Sequence, residues 1–289
     1  MTSQAPGSPG LGAEQVPVAT EDSGCGIGAQ AHTSDADAEA LSVGRELWER
    51  HAAWWQAGFT GGADPEYEEQ ILPHIKAELT GAKRVLDVGC GEGQVARLAG
   101  SVDGVELVVG VDPSYAQVTE AARRGGGVRL ARSEASGLPF PDATFDTVIA
   151  CLVFEHVTAL DEAIGEVGRV LAPGGVFVFL LNHPLLQTPG SGWIDDTILE
   201  EQYWRIGPYL VEDVSLEEVE KQVWIPFVHR PLSRYVNAMV AAGLYVTSMA
   251  EPAPPAGFLA RAEEYKEAAS IPRLLALRAE KLPRTPKGG

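Results

Sequence analysis

The sequence predicts an α/β protein built on a parallel sheet covered by helices on both faces. Two observations predict it. After Lys83, short apolar runs alternate with helical stretches, which is the texture of strands joined by crossover helices. The first of these runs then leads directly into a glycine-rich turn, Gly89-Cys90-Gly91-Glu92-Gly93, at the carboxyl edge of the sheet. Ligands of open α/β sheets collect at that edge.

Taken in order, residues 1–40 carry no Lys, Arg or aromatic residue and have six acidic ones among Gly, Ala, Ser, Thr and Pro. Such a segment buries too little apolar surface to offset its ordering entropy and reads as a disordered acidic tail, or a short docking peptide. The folded domain is expected over residues 41–289. From Leu41, Trp48, His51, Trp54, Trp55 and Phe59 recur at helical spacing until Gly58 and Gly61-Gly62. A second helix follows Asp64-Pro65, and Pro73 should kink or split it. Strands are predicted at Arg84 to Val88, Leu107 to Val111, Val128 to Ala131, Thr144 to Ala150 and Val176 to Leu181. Helices are predicted at Gln94 to Ala99, Ser114 to Arg124 and Ala159 to Leu171. An irregular, aromatic-rich segment runs from His183 to Phe227. A helix near Leu232 to Ala242 and strands near Leu244 to Met249 and Arg273 to Ala279 complete the domain through about residue 280.

Composition removes several functional classes. The 22 basic residues against 40 acidic ones leave a net charge of −18, with no cationic surplus to neutralise phosphates, so no nucleic-acid partner is expected. Cys25, Cys90 and Cys151 are odd in number and widely spaced, suggesting neither a disulfide framework nor a zinc cluster and fitting a reducing cytoplasm. The longest apolar run, Val176 to Leu181, is far below the ~20 residues of a membrane span, so no membrane partner is expected either.

The glycines of the first turn let a backbone approach a ligand closely. The second strand ends at Asp112, where a carboxylate can accept hydrogen bonds from both hydroxyls of a ribose. Together they specify a nucleoside site. A nicotinamide or flavin dinucleotide needs a third glycine at position 94, where this chain has Gln. Asp87, at the end of the first strand, suits a ligand bearing an ammonium group better than one bearing a diphosphate.

The turn, the run from Arg132 to Asp142, the pair Phe145-Asp146 and the stretch from Arg169 to Gly175 closely resemble, in order, motifs of the class I S-adenosylmethionine (SAM)-dependent methyltransferase family. The resemblance covers residues 80–182. It implies a Rossmann-like, seven-stranded, mostly parallel sheet, SAM as cofactor and methyl transfer as activity. It also implies roles: Gly89, Cys90 and Gly91 beneath the methionine part of SAM, with Asp87 near its amino group. Asp112 would hold the ribose and Pro113 pack on adenine. Glu134 and the Ala135 amide would reach the adenine edge, and Cys151 and Leu152 would line the methyl-transfer edge. The family usually has Asp where this chain has Glu134, which would displace that contact. Some quinone O-methyltransferases bind a metal through E-x-x-E-H here, but Leu152 stands at the first position, so no metal is expected.

Methyl transfer is an in-line displacement to which positioning contributes much of the rate. For a hydroxyl acceptor, a His can also remove the proton. His156, just after the fourth strand, and His183, leaving the fifth, are the candidate bases, although Glu155-His156 can instead pack and cap the following helix. His229 sits before the late helix. The stretch 183–227 is long for a connection and carries Trp193, Tyr203, Trp204, Tyr209 and Trp224, so it reads as a lid over a small, largely apolar or aromatic methyl acceptor. Protein or RNA methylation and non-catalytic SAM binding are the alternative readings. The sequence leaves the acceptor, its reacting atom and the oligomeric state open.

Overall fold

The computed structural model describes residues 35–261 and 267–282. The tail expected over residues 1–40 lies outside the described residues as far as residue 34. From Asp35 the backbone is helical, so the first helix begins before the change in sequence texture at Leu41: α1 spans Asp35–Gly58. The helix after Asp64 is not split but distorted just before Pro73: a π-helical turn, Tyr67–Ile71, runs without a break into α2, Leu72–Glu78, and the proline, which cannot donate to the preceding turn, follows the junction.

The sheet then builds as β1 (Arg84–Val88), α3 (Gln94–Gly100), β2 (Leu107–Asp112), α4 (Tyr115–Arg124), β3 (Arg129–Arg132), β4 (Phe145–Cys151), α5 (Leu160–Val170) and β5 (Leu171–Asn182). After two hairpins, β6 (Gly192–Asp196) with β7 (Glu201–Arg205) and β8 (Asp213–Glu220) with β9 (Val223–His229), come α6 (Leu232–Ala241), β10 (Leu244–Ala250), the short α7 (Ala256–Leu259) and β11 (Leu274–Lys281). The seven-stranded sheet has the order β10-β11-β5-β4-β1-β2-β3. Strands β1 to β5 pair in parallel, and β11 runs antiparallel to both of its neighbours.

Alternation along each strand feeds two apolar layers. On β5, Phe177, Phe179 and Leu181 pack with Ile164 and Val167 of α5 and with Tyr235 and Met239 of α6. The intervening Val178 and Leu180 pack with Ile75 and Leu79 from α2 and its C-cap and with Val95 and Ala99 of α3. Asp87 interrupts this alternation: it is 1% exposed at the end of a strand whose other buried members are apolar.

The stretch 183–227 is not irregular; it holds hairpin β6–β7 and all of β8–β9 except Val228 and His229 at its end. Their reversals contain Glu200 (φ 56°) and Gln222 (φ 67°), non-glycine residues in the left-handed region. The Asn-Gly or Gly-Gly turn that marks a hairpin in a sequence is therefore missing. Among the described residues, no helix is long and apolar enough to cross a membrane.

Candidate active site

Strand β1 delivers the chain into the glycine turn, and Gly89, Gly91 and Gly93 all have positive φ (70°, 53° and 85°). At Gly89 a side chain is excluded twice over. The backbone is left-handed, and a Cβ would lie 2.5 Å from Cγ2 of Val153, which follows β4. Cys90 folds back against β2, where Gly110 makes room for it: a Cβ on Gly110 would lie 2.8 Å from the Cys90 Sγ. Burial pushes the Cys90 thiol well up, so it is a packed turn residue rather than a nucleophile.

The turn is held to the neighbouring strand by Asp112, whose Oδ2 accepts from the Gly91 amide (2.9 Å) and whose Oδ1 accepts from the Ser114 amide (2.9 Å). Burial raises the Asp112 carboxyl to about 6 despite these bonds. Asp87 is perturbed further. Burial, then the charge of Asp112, push it up to about 8, although the Ala96 amide at the start of α3 stabilises its ionised form. Its Oδ2 is buried with no hydrogen-bond partner.

Asp87, Gly89, Cys90, Gly91, Asp112, Pro113, Glu134, Ala135, Cys151 and Leu152 all line one cavity at the carboxyl edge of the sheet. His156 lines it too. Leu152 is held at φ 56°, a strained conformation for a leucine, with its amide bonded to the Leu180 carbonyl (2.9 Å). Strain of this kind costs on the order of 1–3 kcal/mol and clusters at functional sites.

A second cavity adjoins the first and shares Trp48, Trp55, Leu152 and His156 with it. His156 is fixed by its Nδ1, 2.7 Å from the Pro226 carbonyl, and lies between Trp48 and Phe227, with ring centroids 4.9 and 4.8 Å away. Because Nδ1 faces a carbonyl it carries the proton, which leaves Nε2 as an acceptor. Burial lowers this imidazole to about 4, so it is neutral at physiological pH.

The structure does not bring His183 to either cavity. Its Nδ1 accepts from the Leu185 amide (3.1 Å) and its Nε2 meets Glu251 (2.7 Å), so both ring nitrogens are engaged in holding the loop after β5. His229 likewise turns away, with Nε2 2.8 Å from the Tyr209 carbonyl.

Several residues in or behind the cavity wall were given no role in the sequence reading. Glu49 of α1 accepts from the Ser114 hydroxyl (2.7 Å) and the Ala116 amide (3.1 Å), tying α1 to the start of α4. Arg45 pairs with Glu134 (3.6 Å) across the cavity wall. Glu92, 1% exposed, is neutralised by Arg97 and Arg124. Tyr67, in the π turn, lines the same cavity. Arg45, Glu49 and Tyr67 are single polar or aromatic side chains brought in by tertiary folding, with no local spacing to announce them, whereas Glu92 stands in the glycine turn itself. Among the described residues, no group of three or more His, Cys, Asp and Glu is placed to hold a metal ion.

Residues 86–179 match the family model described as a methyltransferase domain. A crystallised SAM-dependent methyltransferase from Mesorhizobium loti superposes with a TM-score of 0.63 at 27% identity, over 72% of this chain and 96% of that one. The chain carries a class I SAM-dependent methyltransferase domain. It is also similar to curated methyltransferases. A probable SAM-dependent methyltransferase of Mycolicibacterium smegmatis is 34% identical over 121 residues, 42% of this chain and 46% of that protein. The demethylmenaquinone methyltransferase of Thermus thermophilus is 41% identical over 103 residues, 34% of this chain and 46% of that protein. The chain thus spans less than half the length of these two relatives. The cofactor of the methyltransferase domain is SAM, and the cavity suits it: the partnerless Oδ2 of Asp87 offers a buried acceptor to an ammonium group, and a Cβ on Gly91 would project toward Trp55 (3.8 Å) and Gln117 (4.0 Å) on the cavity wall.

Proposed function

We propose that this protein is an enzyme that methylates a small, largely apolar or aromatic acceptor, with SAM in the first cavity and the acceptor entering from the second. The observation that carries this reading is the junction of the two cavities at Trp48, Trp55, Leu152 and His156. A nucleoside cradle opens there onto a chamber walled by indole and phenyl rings.

In this reading Asp87 takes the amino group of the cofactor, the glycine turn underlies its methionine part, and Asp112 holds the ribose hydroxyls. Pro113, Glu134 and the Ala135 amide surround the adenine, and Cys151 and Leu152 border the reacting end. SAM supplies a methyl group on a sulfonium sulfur, so transfer joins the acceptor atom to that carbon and leaves the broken bond's electron pair on sulfur. The rest falls to the protein. Hairpin β8–β9 places Val214, Pro226 and Val228 on the first cavity and Phe227 on the second, so apolar side chains cover both. His156 Nε2 accepts a hydrogen bond from an acceptor hydroxyl and takes its proton as the bond forms. With a basicity this low, His156 serves mainly to orient that hydroxyl. His183 is a positioning residue for the loop that follows β5.

The test is calorimetric titration of SAM, followed by an acceptor screen that measures release of S-adenosylhomocysteine (SAH). Binding in the micromolar range, about −8 kcal/mol, is expected. Failure to bind SAM ends the proposal, and SAM binding without turnover of any acceptor leaves a cofactor-binding protein.

A further inference from the structure

The second chamber is not uniformly apolar. Where it meets the first cavity its walls are Trp48, Trp55, Leu152 and His156, whereas Asp64, Glu66, Gln70 and Arg273 line the second cavity alone. Its rings form a continuous array: Trp55 stacks on Phe59 at 4.4 Å, and Trp54 meets Phe59 edge-on at 5.2 Å.

The polar end has a surplus of acceptors. Arg273 is spent: its Nε and Nη2 donate to the two carboxylate oxygens of Glu66 (2.9 and 3.1 Å), and its guanidinium lies 4.0 Å over the Phe258 ring. The Gln70 amide nitrogen donates to the Ala253 carbonyl, the Asn182 amide nitrogen to Glu155 and the Trp54 indole to Glu220. Gln70 Oε1 is buried with no partner. Among the described residues Asp64 forms no ion pair within 4.0 Å; its Oδ1 takes the Glu66 amide (2.9 Å), and nearby Arg261 donates to the Ala63 carbonyl. The Asp64 carboxylate, bridged by neither Arg261 nor Arg273 although both act on it through space, stands beside a ring array with only its Oδ1 taken by a hydrogen bond. A buried, unfilled acceptor costs free energy until a donor meets it, and aromatic faces attract cations.

Resting on the reading above, we propose that the chamber selects an acceptor with an aromatic body and a cationic, hydrogen-bond-donating head, an arylalkyl amine in class, and rejects carboxylates and phosphates. The amine lies against Asp64 and Gln70, and the atom to be methylated lies at the opposite end, beside His156 and Leu152.

The experiment uses the full chain saturated with SAH and titrated with three probes that share a phenol: tyramine, the neutral alcohol tyrosol, and 3-(4-hydroxyphenyl)propionate. Tyramine is expected to bind about tenfold more tightly than tyrosol, as a charge-assisted contact over aromatic rings requires, and the propionate to bind least. Asp64→Asn, which keeps the Oδ1 acceptor, should lose most of the tyramine preference and leave SAH affinity unchanged. Gln70→Leu provides a second variant and should weaken tyramine and tyrosol alike. Equal or tighter binding of the propionate, a tyramine preference that survives Asp64→Asn, or no binding of tyramine overturns the proposal. SAH is titrated first. If SAH itself fails to bind, the methyltransferase reading fails; if SAH binds but the amine preference is absent, only the selection rule fails.

Discussion

The cofactor cradle and the roof above it are built in opposite ways. The cradle is local: β1, its glycine turn and Asp112 lie within one β-α-β unit and are held by backbone amides and parallel strand pairing. The roof is assembled from distant chain, with α1 meeting hairpin β8–β9 through side chains such as the Trp54 indole on Glu220 (2.7 Å). In the proposed reading, cofactor contacts thus sit on locally held backbone, and acceptor contacts sit on parts assembled from distant chain. Cradle variants should therefore lose the cofactor, and roof variants the acceptor.

The largest effect is expected at Gly89. Gly89→Ala forces a Cβ into Val153 from a left-handed backbone, which costs on the order of 1–3 kcal/mol for the conformation alone before any clash is relieved. SAM binding should fall at least ~100-fold, about 2.7 kcal/mol or more. Calorimetry that finds the variant binding normally would show that the turn does not underlie the cofactor.

Next in size is a pH effect. Asp87 is held protonated up to about 8, and its proposed contact with the ammonium of SAM requires it ionised. Binding therefore expels a proton, so affinity must rise with pH and level off above about 8. A loss of roughly fiftyfold is expected between pH 8 and pH 6, with proton release detectable in buffers of different ionisation enthalpy. A flat affinity profile would detach Asp87 from the amino group. The same sign applies to stability of the empty protein. A carboxyl raised in the fold favours folding while protonated, so Asp87 weakens the empty fold as pH rises toward 8.

Asp112→Ala should weaken SAM by more than about tenfold, or 1.4 kcal/mol. Part of that loss is structural, because the Gly91 and Ser114 amides lose their acceptor. Asp112→Asn, which retains an oxygen, separates the two contributions. A variant that binds SAM unchanged would remove the ribose assignment.

The contrast also explains what could be read before folding. Strands β1 to β5 and the turn residues were legible because each is a contiguous pattern of apolar runs and glycines. The hairpins were not, since Glu200 and Gln222 adopt left-handed conformations that sequence patterns reserve for Gly or Asn. His156 and His183 were equally plausible bases in the sequence. Only the fold separates them, setting one ring between two cavities and engaging the other with Glu251 and the Leu185 amide. Glu49 had no local signal at all, because its partners lie on α4.

His156→Phe sharpens the comparison from the roof side. It should lower kcat/KM for a hydroxyl acceptor by about tenfold, a modest loss because so weak a base contributes mostly orientation. SAM affinity should change by less than about twofold, since no cofactor contact is assigned to the ring. Equal loss of both would make His156 part of the cradle or of the core.

The smallest effect is expected where roof and cradle touch. Burial alone would raise the Glu49 carboxyl, but the Ser114 hydroxyl and the Ala116 and Tyr115 amides outweigh it and hold the group below its ordinary range. Its contribution is therefore present at neutral pH and fades as pH falls through that lowered value. Glu49 supplements Ser114, which already caps α4 by accepting from the Gln117 amide, so Glu49→Ala removes an auxiliary cap and a tether together. Caps are worth about 0.5–2 kcal/mol, and the lower part of that range is expected here because Ser114 remains. The tether reaches the segment immediately after Asp112, so SAM should dissociate about threefold faster while its association rate stays near that of the parent protein. Stopped-flow measurement of the intrinsic tryptophan signal separates the two rates, with Trp48 and Trp55 on the cavity wall as reporters. A slowed association with unchanged dissociation would mean that α1 preorganises entry rather than retaining the cofactor. No change in either rate would show that α1 covers the cradle without holding it, and that the boundary between roof and cradle carries no coupling.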